Sequence, residues 1–319
     1  VLARGDIGLA EAWLDGQWES PDLAALLTLL AENRERLSRA VYGNAWSLIG
    51  ARLRHFFNAN TRAGSKRNIL AHYDLGNDFY RLWLDPTMSY SSALYAGEAR
   101  PLAAAQEAKN RRILEKLQAR PGQRVLEIGC GWGGFAELAA RDGLAVHGIT
   151  LSPAQLAYAQ ERLARAGLDD RVQFSLTDYR DLDGRYEHIV SVEMFEAVGE
   201  RWWPAWFRTV ARNLAPEGRA VVQSITIRDD LFARYRKGTD FIQQMVFPGG
   251  VLPSVAEFRK QGQRAGLEVR EAFAFGRDYA RTLAEWARNF EAAWPEIARL
   301  SFDERFRRLW RFYLAYCEA

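Results

Sequence analysis

The sequence predicts a doubly wound α/β protein on a mostly parallel sheet, with a small helical segment ahead of it. Two observations carry this. From Arg124 onward, short apolar runs alternate with amphipathic stretches, the pattern of strand–helix–strand units. The first run ends in a glycine-rich turn, Glu127-Ile128-Gly129-Cys130-Gly131-Trp132-Gly133-Gly134, which opens the next amphipathic stretch. With 319 residues and 48% hydrophobic content, the chain can bury one large core or a core plus a helical annex.

Taken in order, Val1 to about Asn60 reads as helical. Ser20-Pro21-Asp22 is a helix start before the apolar run from Leu23, and Trp13 and Trp18 flank a turn at Asp15-Gly16. Residues 61–66 read as a linker, which divides the chain into a helical N-terminal domain, 1–60, and a main domain, 61–319. A helix is expected from Leu102 to Leu117, ended by Pro121-Gly122. Strands are expected at Val125–Ile128, Ala145–Thr150, Val172–Leu176, Ile189–Val192 and Ala220–Ile225, with amphipathic segments such as Pro153–Ala166 between them. Beyond Pro253 come a further helix, a late strand at Leu267–Phe275, and a helical tail from Thr282 to Tyr316 broken at Pro295. Trp286, Phe290, Trp294, Phe306, Trp310 and Tyr313 recur in that tail at helical spacing, as a core-facing stripe does.

Composition narrows the function classes. The net charge of +3 comes without a long Lys/Arg run, which argues against nucleic acid and permits contact with an anionic membrane surface. The 11 Trp, 12 Tyr and 17 Phe suit an aromatic core, an apolar tunnel or a membrane-facing surface. Cys130 and Cys317 form no disulfide framework and no CxxC pair, which suits a reducing, cytoplasmic setting. No apolar run is long enough to span a bilayer, no signal peptide is visible, and the chain opens at Val1 as a trimmed form of a longer one would. His55, His72, His147 and His188 show no ligand spacing, so no metal site is expected.

Glycines after the first strand let the backbone approach a ligand, and many nucleotide-binding folds use such a turn. Three features separate this one from a dinucleotide site. The spacing is E-x-G-x-G-x-G, not G-x-G-x-x-G. The second strand ends in Thr150-Leu151-Ser152, with Gln155 one turn on, and lacks the acid that would bind an NAD ribose. The third ends in Thr177-Asp178-Tyr179, offering a carboxylate to the exocyclic amine of adenine and a ring to flank it. This is the pattern of a class I S-adenosylmethionine site. The expected fold is the class I methyltransferase (Rossmann-like) one, a seven-stranded mostly parallel sheet with helices on both faces, plus the small helical N-terminal domain.

The chain resembles the cyclopropane fatty acyl phospholipid and mycolic acid cyclopropane synthases over nearly its whole length. The carriers are His72 to Asn77, Met88-Ser89-Tyr90-Ser91-Ser92, Val125 to Gly134, Thr150-Leu151-Ser152, Asp178-Tyr179-Arg180-Asp181, Met194-Phe195-Glu196, Phe247-Pro248-Gly249-Gly250 with Leu252-Pro253-Ser254, and Phe275 to Tyr279. The resemblance implies methyl transfer from S-adenosylmethionine to the cis double bond of a phospholipid acyl chain, through a carbocation that closes to cyclopropane once a base removes a proton. It implies cofactor contacts from Tyr90, Ser91, Gly129, Gly131, Trp132, Gly133, Thr150, Leu151, Ser152, Gln155, Asp178 and Tyr179. It implies a bound bicarbonate as base, in a pocket of Ser92, Glu196, Gln223, Ile225 and Tyr279, with Glu196 orienting the ion or acting as the base itself. It also implies an unsaturated phospholipid met at the inner face of the membrane, with the N-terminal helices and an Arg-rich loop, Phe232–Lys237, as contact candidates, and a homodimer as one assembly. His72 is expected to shape the cofactor lid.

Three positions depart from the family pattern. Ser92 stands where the family commonly has Cys, Gln223 where it has His, and Ala197, not His, follows Glu196. Gln is neutral at every pH, so a switchable donor is lost although an amide can still donate to an anion. A changed base pocket can change which proton leaves, so a methylene-bearing or methyl-branched acyl chain stays open as the product. Two other readings compete: a small-molecule N- or O-methyltransferase, allowed by the shared cofactor motif, and a non-catalytic membrane-binding module.

Overall fold

The computed structural model describes residues 4–37, 64 and 75–319. The later part of the N-terminal stretch, most of the 61–66 linker, and His72-Tyr73-Asp74 lie outside the described residues.

Five parallel strands form one sheet: β1 (Arg124–Ile128), β2 (Ala145–Thr150), β3 (Val172–Leu176), β4 (Tyr186–Val192) and β5 (Leu214–Gln223), in the order β3-β2-β1-β4-β5. All four pairings are parallel, with Val125 opposite both Val146 and His188. Burial on both faces explains why the central strand reads as an apolar run: Val125, Leu126 and Ile128 are all buried. The chain runs outward from β1 to β3, then returns to place β4 beside β1. The crevice beyond the carboxyl ends of β1 and β4 is thus the switch point at which such sheets bind ligands.

Helices cover the sheet and extend beyond it: α1 (Gly5–Leu14), α2 (Leu23–Glu32), α3 (Asn77–Trp83), α4 (Leu102–Leu117), α5 (Gly134–Arg141), α6 (Pro153–Arg165), α7 (Trp203–Asn213), α8 (Asp229–Tyr235), α9 (Val255–Arg264), α10 (Gly276–Arg299) and α11 (Glu304–Glu318). Local chemistry sets several starts. Asp22 caps α2 by accepting from the Ala25 N–H at 2.9 Å, and Asp303 caps α11 through Phe306 at 2.8 Å. Ser152 caps α6 through the Gln155 N–H at 3.3 Å, with Pro153 in the first helical turn.

Four expectations need correction. The sheet has five strands among the described residues, not seven. Leu267–Phe275 is irregular: Arg112 and Lys116 of α4 hold Glu271 at 2.8 and 2.6 Å, and Arg112 covers the exposed Phe273 ring at 4.0 Å. Side-chain docking onto α4 replaces ladder pairing there. The C-terminal tail does not break at Pro295, which lies inside α10; the break comes at Leu300–Asp303, where Ser301 turns to φ +72°. Most of Phe232–Lys237 is helical rather than a loop, and Phe232 is buried.

The aromatic load is largely core. Phe79 of α3 is 0% exposed and touches Tyr80, Trp83, Phe290, Phe302, Phe306 and Trp310, with ring centroids 5.0–6.4 Å apart. The α10–α11 stripe is the other wall of this cluster. Helices α1 and α2 join it: Trp13 Nε1 donates to the Arg308 carbonyl at 2.9 Å, and Asp6 accepts from the Phe241 N–H and the Tyr316 hydroxyl. Phe79→Ala is expected to cost about 3–5 kcal/mol of stability in urea unfolding, as truncating a fully enclosed ring does. A loss under about 1 kcal/mol would remove Phe79 from the centre of the core.

Candidate active site

The glycine turn after β1 is built for close approach. The Gly129 and Cys130 N–H groups both donate to the Ile149 carbonyl at 3.0 Å, which folds the turn back over β2. Gly129 has φ +87°, and a Cβ there would stand 2.8 Å from the Met194 side chain. Gly133 has φ +80° and starts α5; its missing Cβ lets the helix approach Ala159, Leu163 and Phe174.

A cavity opens over this turn. It is lined by Tyr90, Ser91, Lys109, Glu127, Gly129, Gly131, Trp132, Thr150, Leu151, Gln155, Tyr179 and Glu193, among others. Helix α3 braces it, with Asn77 accepting from Trp132 Nε1 at 2.8 Å. Thr150 and Gln155 fix the second loop: Thr150 Oγ1 donates to Gln155 Oε1 at 3.0 Å and accepts from the Ser152 N–H.

Nine of the residues expected at the cofactor therefore share this cavity: Tyr90, Ser91, Gly129, Gly131, Trp132, Thr150, Leu151, Gln155 and Tyr179. Gly133 and Ser152 stand behind its wall as helix-start residues. Asp178 also lies off the lining, and its carboxylate is forked by Arg180 at 2.8 and 2.6 Å, so it is neutralised within its own turn.

Two ionisable groups here were not assigned to the cofactor by sequence reasoning, although Glu127 opens the E-x-G-x-G-x-G motif. Lys109 of α4 is buried and donates to Ser91 Oγ at 2.6 Å. Burial pulls its pKa down to about 8, against the attraction of Glu193, Asp85 and Glu127. Glu127 is buried at the end of β1, and one of its carboxylate oxygens has no hydrogen-bond partner among the described residues. The glycine cradle and that oxygen fit S-adenosylmethionine, whose methionine half carries an ammonium able to satisfy it.

The five expected catalytic residues fall into two sets: Ser92, Gln223 and Tyr279 meet on a sixth residue, Glu193, whereas Ile225 meets Glu196. Glu193, directly after β4, accepts from the Ser92 N–H at 2.9 Å, from Gln223 Nε2 at 2.7 Å and from the Tyr279 hydroxyl at 3.1 Å. Glu196 turns the other way: its Oε1 accepts from the Ser224 hydroxyl at 2.9 Å and from the Ile225 N–H, while its Oε2 is buried without a partner among the described residues. All four donors assigned to a bicarbonate are thus held by the protein's own carboxylates. A second anion does not fit among these residues as they stand, because it would add charge and find no free donor.

The two carboxylates differ in state. Burial, and then repulsion from Glu193, push Glu196 up to about 7. Burial also raises Glu193, but the Ser92 N–H, Lys109, Gln223 and Tyr279 oppose it. Glu196 is the better home for a shared proton and Glu193 for the charge. Stability follows. Between the ordinary value of 4.5 and about 7, folded Glu196 holds a proton that the unfolded chain has released. The stability it contributes is full below pH 4.5 and lost as pH rises through about 7. The wild-type melting temperature minus that of Glu196→Gln should therefore fall across this window; a constant difference would contradict the raised pKa.

The mycolic acid cyclopropane synthetase family model matches residues 60–319. The tuberculostearic acid methyltransferase UfaA1 of Mycobacterium tuberculosis is 40% identical over 99% of this chain and 76% of its own length. The cyclopropane-fatty-acyl-phospholipid synthase of Escherichia coli is 40% identical over 99% of this chain and 80% of its own. Among solved structures, mycolic acid cyclopropane synthase CmaA1 complexed with SAH and CTAB superposes with a TM-score of 0.72 at 31% identity, covering 79% of this chain and 92% of that one. With the parallel sheet, the glycine cradle and the carboxylate pair in place, the chain belongs to the mycolic acid cyclopropane synthetase family of S-adenosylmethionine-dependent methyltransferases.

Proposed function

We propose that the protein adds a one-carbon unit to the cis double bond of an unsaturated phospholipid acyl chain and closes it to a cyclopropane ring. The observation that carries this reading is the set of donors and carboxylates beside the cofactor cavity. Methylating an amine or a phenol passes through no carbocation, whereas an alkylated alkene is one and must lose a proton from carbon before its product is stable.

S-adenosylmethionine, when bound, supplies an electrophilic methyl group. The alkene π pair forms the new C–C bond, the C–S pair stays on sulfur, and positive charge passes to the other alkene carbon. The Tyr90 ring lines the cofactor cavity, braced by Trp286 at 5.3 Å, and offers a π face to that cation. A base then takes a proton from the added methyl, and the released C–H pair closes the ring. An alkene is a weak nucleophile, so the cradle and the excluded water must supply much of the rate.

A second reading, a methylene-bearing or methyl-branched acyl product, is favoured by the similarity to the tuberculostearic acid methyltransferase and by Gln223 in the base pocket. No helix among the described residues is long and apolar enough to cross a membrane, so the substrate is reached from the membrane surface in this reading. The test is to incubate the protein with methyl-labelled S-adenosylmethionine and monounsaturated phospholipid vesicles. Label in the lipid extract supports the proposal; label confined to water-soluble product would support the N- or O-methyltransferase instead.

A further inference from the structure

We propose that Glu193 is the general base of this enzyme, a built-in carboxylate that takes the role of an external bicarbonate. The inference rests on the acyl-chain reading above.

Three observations carry it. The first is hydrogen bonding. Glu193 gathers the Ser92 N–H, the Gln223 amide and the Tyr279 hydroxyl, three neutral donors from three separate parts of the chain. Neutral donors orient a carboxylate without cancelling its charge. Among the described residues no Lys or Arg forms an ion pair with Glu193, and the nearby Lys109 bonds to Ser91 instead. The second is position. Glu193 lines the cofactor cavity at the carboxyl end of β4, whereas Glu196 is drawn off toward Ser224 and Ile225. The third is backbone conformation. Glu193 sits at φ +46°, in the left-handed region that glycine favours. A glutamate held there is strained, and such strain collects at functional sites.

The step balances. A Glu193 oxygen lone pair takes a proton from the methylated chain, and the C–H electron pair closes the ring or forms the methylene. The proton then passes from Glu193 to water, so each turnover releases one proton and needs no oxidant, reductant or added anion.

The test uses the full chain, methyl-deuterated S-adenosylmethionine and vesicles of monounsaturated phosphatidylglycerol, in buffer sparged free of carbon dioxide and in the same buffer with bicarbonate. Wild-type rates are expected to be equal in the two. Glu193→Gly relieves the positive φ but leaves three donors without their acceptor, so its melting temperature is read alongside its rate, which should fall about 10²–10⁴-fold. Bicarbonate should restore much of that loss, because the vacated donors can then hold it. Glu193→Gln should lose as much rate and gain nothing from bicarbonate, since its side chain still fills the space. A wild type that stalls without bicarbonate, or a Glu193→Gln variant at wild-type rate, would overturn the assignment. A wild type that labels no acyl chain in either buffer, yet still turns over S-adenosylmethionine with another acceptor, would sink the acyl-chain reading and this inference with it.

Discussion

Replacing Gly129 with alanine is expected to weaken S-adenosylmethionine binding by roughly 100-fold, the equivalent of about 3 kcal/mol. The added Cβ would stand 2.8 and 2.9 Å from Cγ and Cβ of Met194. Gly129 also has φ +87°, where a side chain adds about 1–3 kcal/mol of strain. Relief can come only by moving the turn or by moving Met194, which follows Glu193 directly. The first course spoils the cradle and the second disturbs the carboxylates. Titration calorimetry with S-adenosylhomocysteine measures the effect; unchanged affinity would mean that the turn does not shape the cofactor site.

Glu196→Ala should separate chemistry from binding. The substitution strips the Ser224 hydroxyl and the Ile225 N–H of their acceptor, at about 1–3 kcal/mol for each group left unsatisfied. It also removes the protonated neighbour on which the Glu193 charge bears. Alkylation is expected to fall by roughly 10²–10⁴-fold, the usual scale for losing a proton-transfer group or its positioning. Cofactor affinity should change little, because Glu196 is not part of the cavity lining. Full alkylation in this variant would remove Glu196 from the mechanism.

The contrast between Glu193 and Glu196 shows where sequence reasoning runs out. The sheet was legible because buried parallel strands read as apolar runs: β2 and β3 have the bounds the sequence implies, and the cofactor glycines follow β1 directly. The choice between two acids three residues apart was not legible. It depends on one left-handed residue at Glu193, and on Tyr279 arriving from 86 positions further along the chain. An acid immediately after a buried strand, at the edge that carries the cofactor, was the available signal, and the Met-Phe-Glu motif drew attention past it. The setting of Asp178 was hidden for a related reason. Its loop position is at the cofactor edge, but Arg180, two residues on, closes over it. The Leu267–Phe275 segment alternates like a strand, yet basic residues on α4 capture its glutamate. Pro295 reads as a helix break, but α10 runs through it, its buried Trp286, Phe290 and Ile297 anchored in the core on either side.

The proposed reaction is carbon alkylation of an acyl double bond with proton loss and ring closure. Mass spectrometry of fatty acid methyl esters, after incubation with methyl-deuterated S-adenosylmethionine and monounsaturated phospholipid vesicles, tests it directly. The expected product keeps two deuteriums from the donor methyl and co-elutes with a cyclopropane standard. A product that keeps all three, or no labelled acyl chain from a protein shown to bind the cofactor, would contradict it.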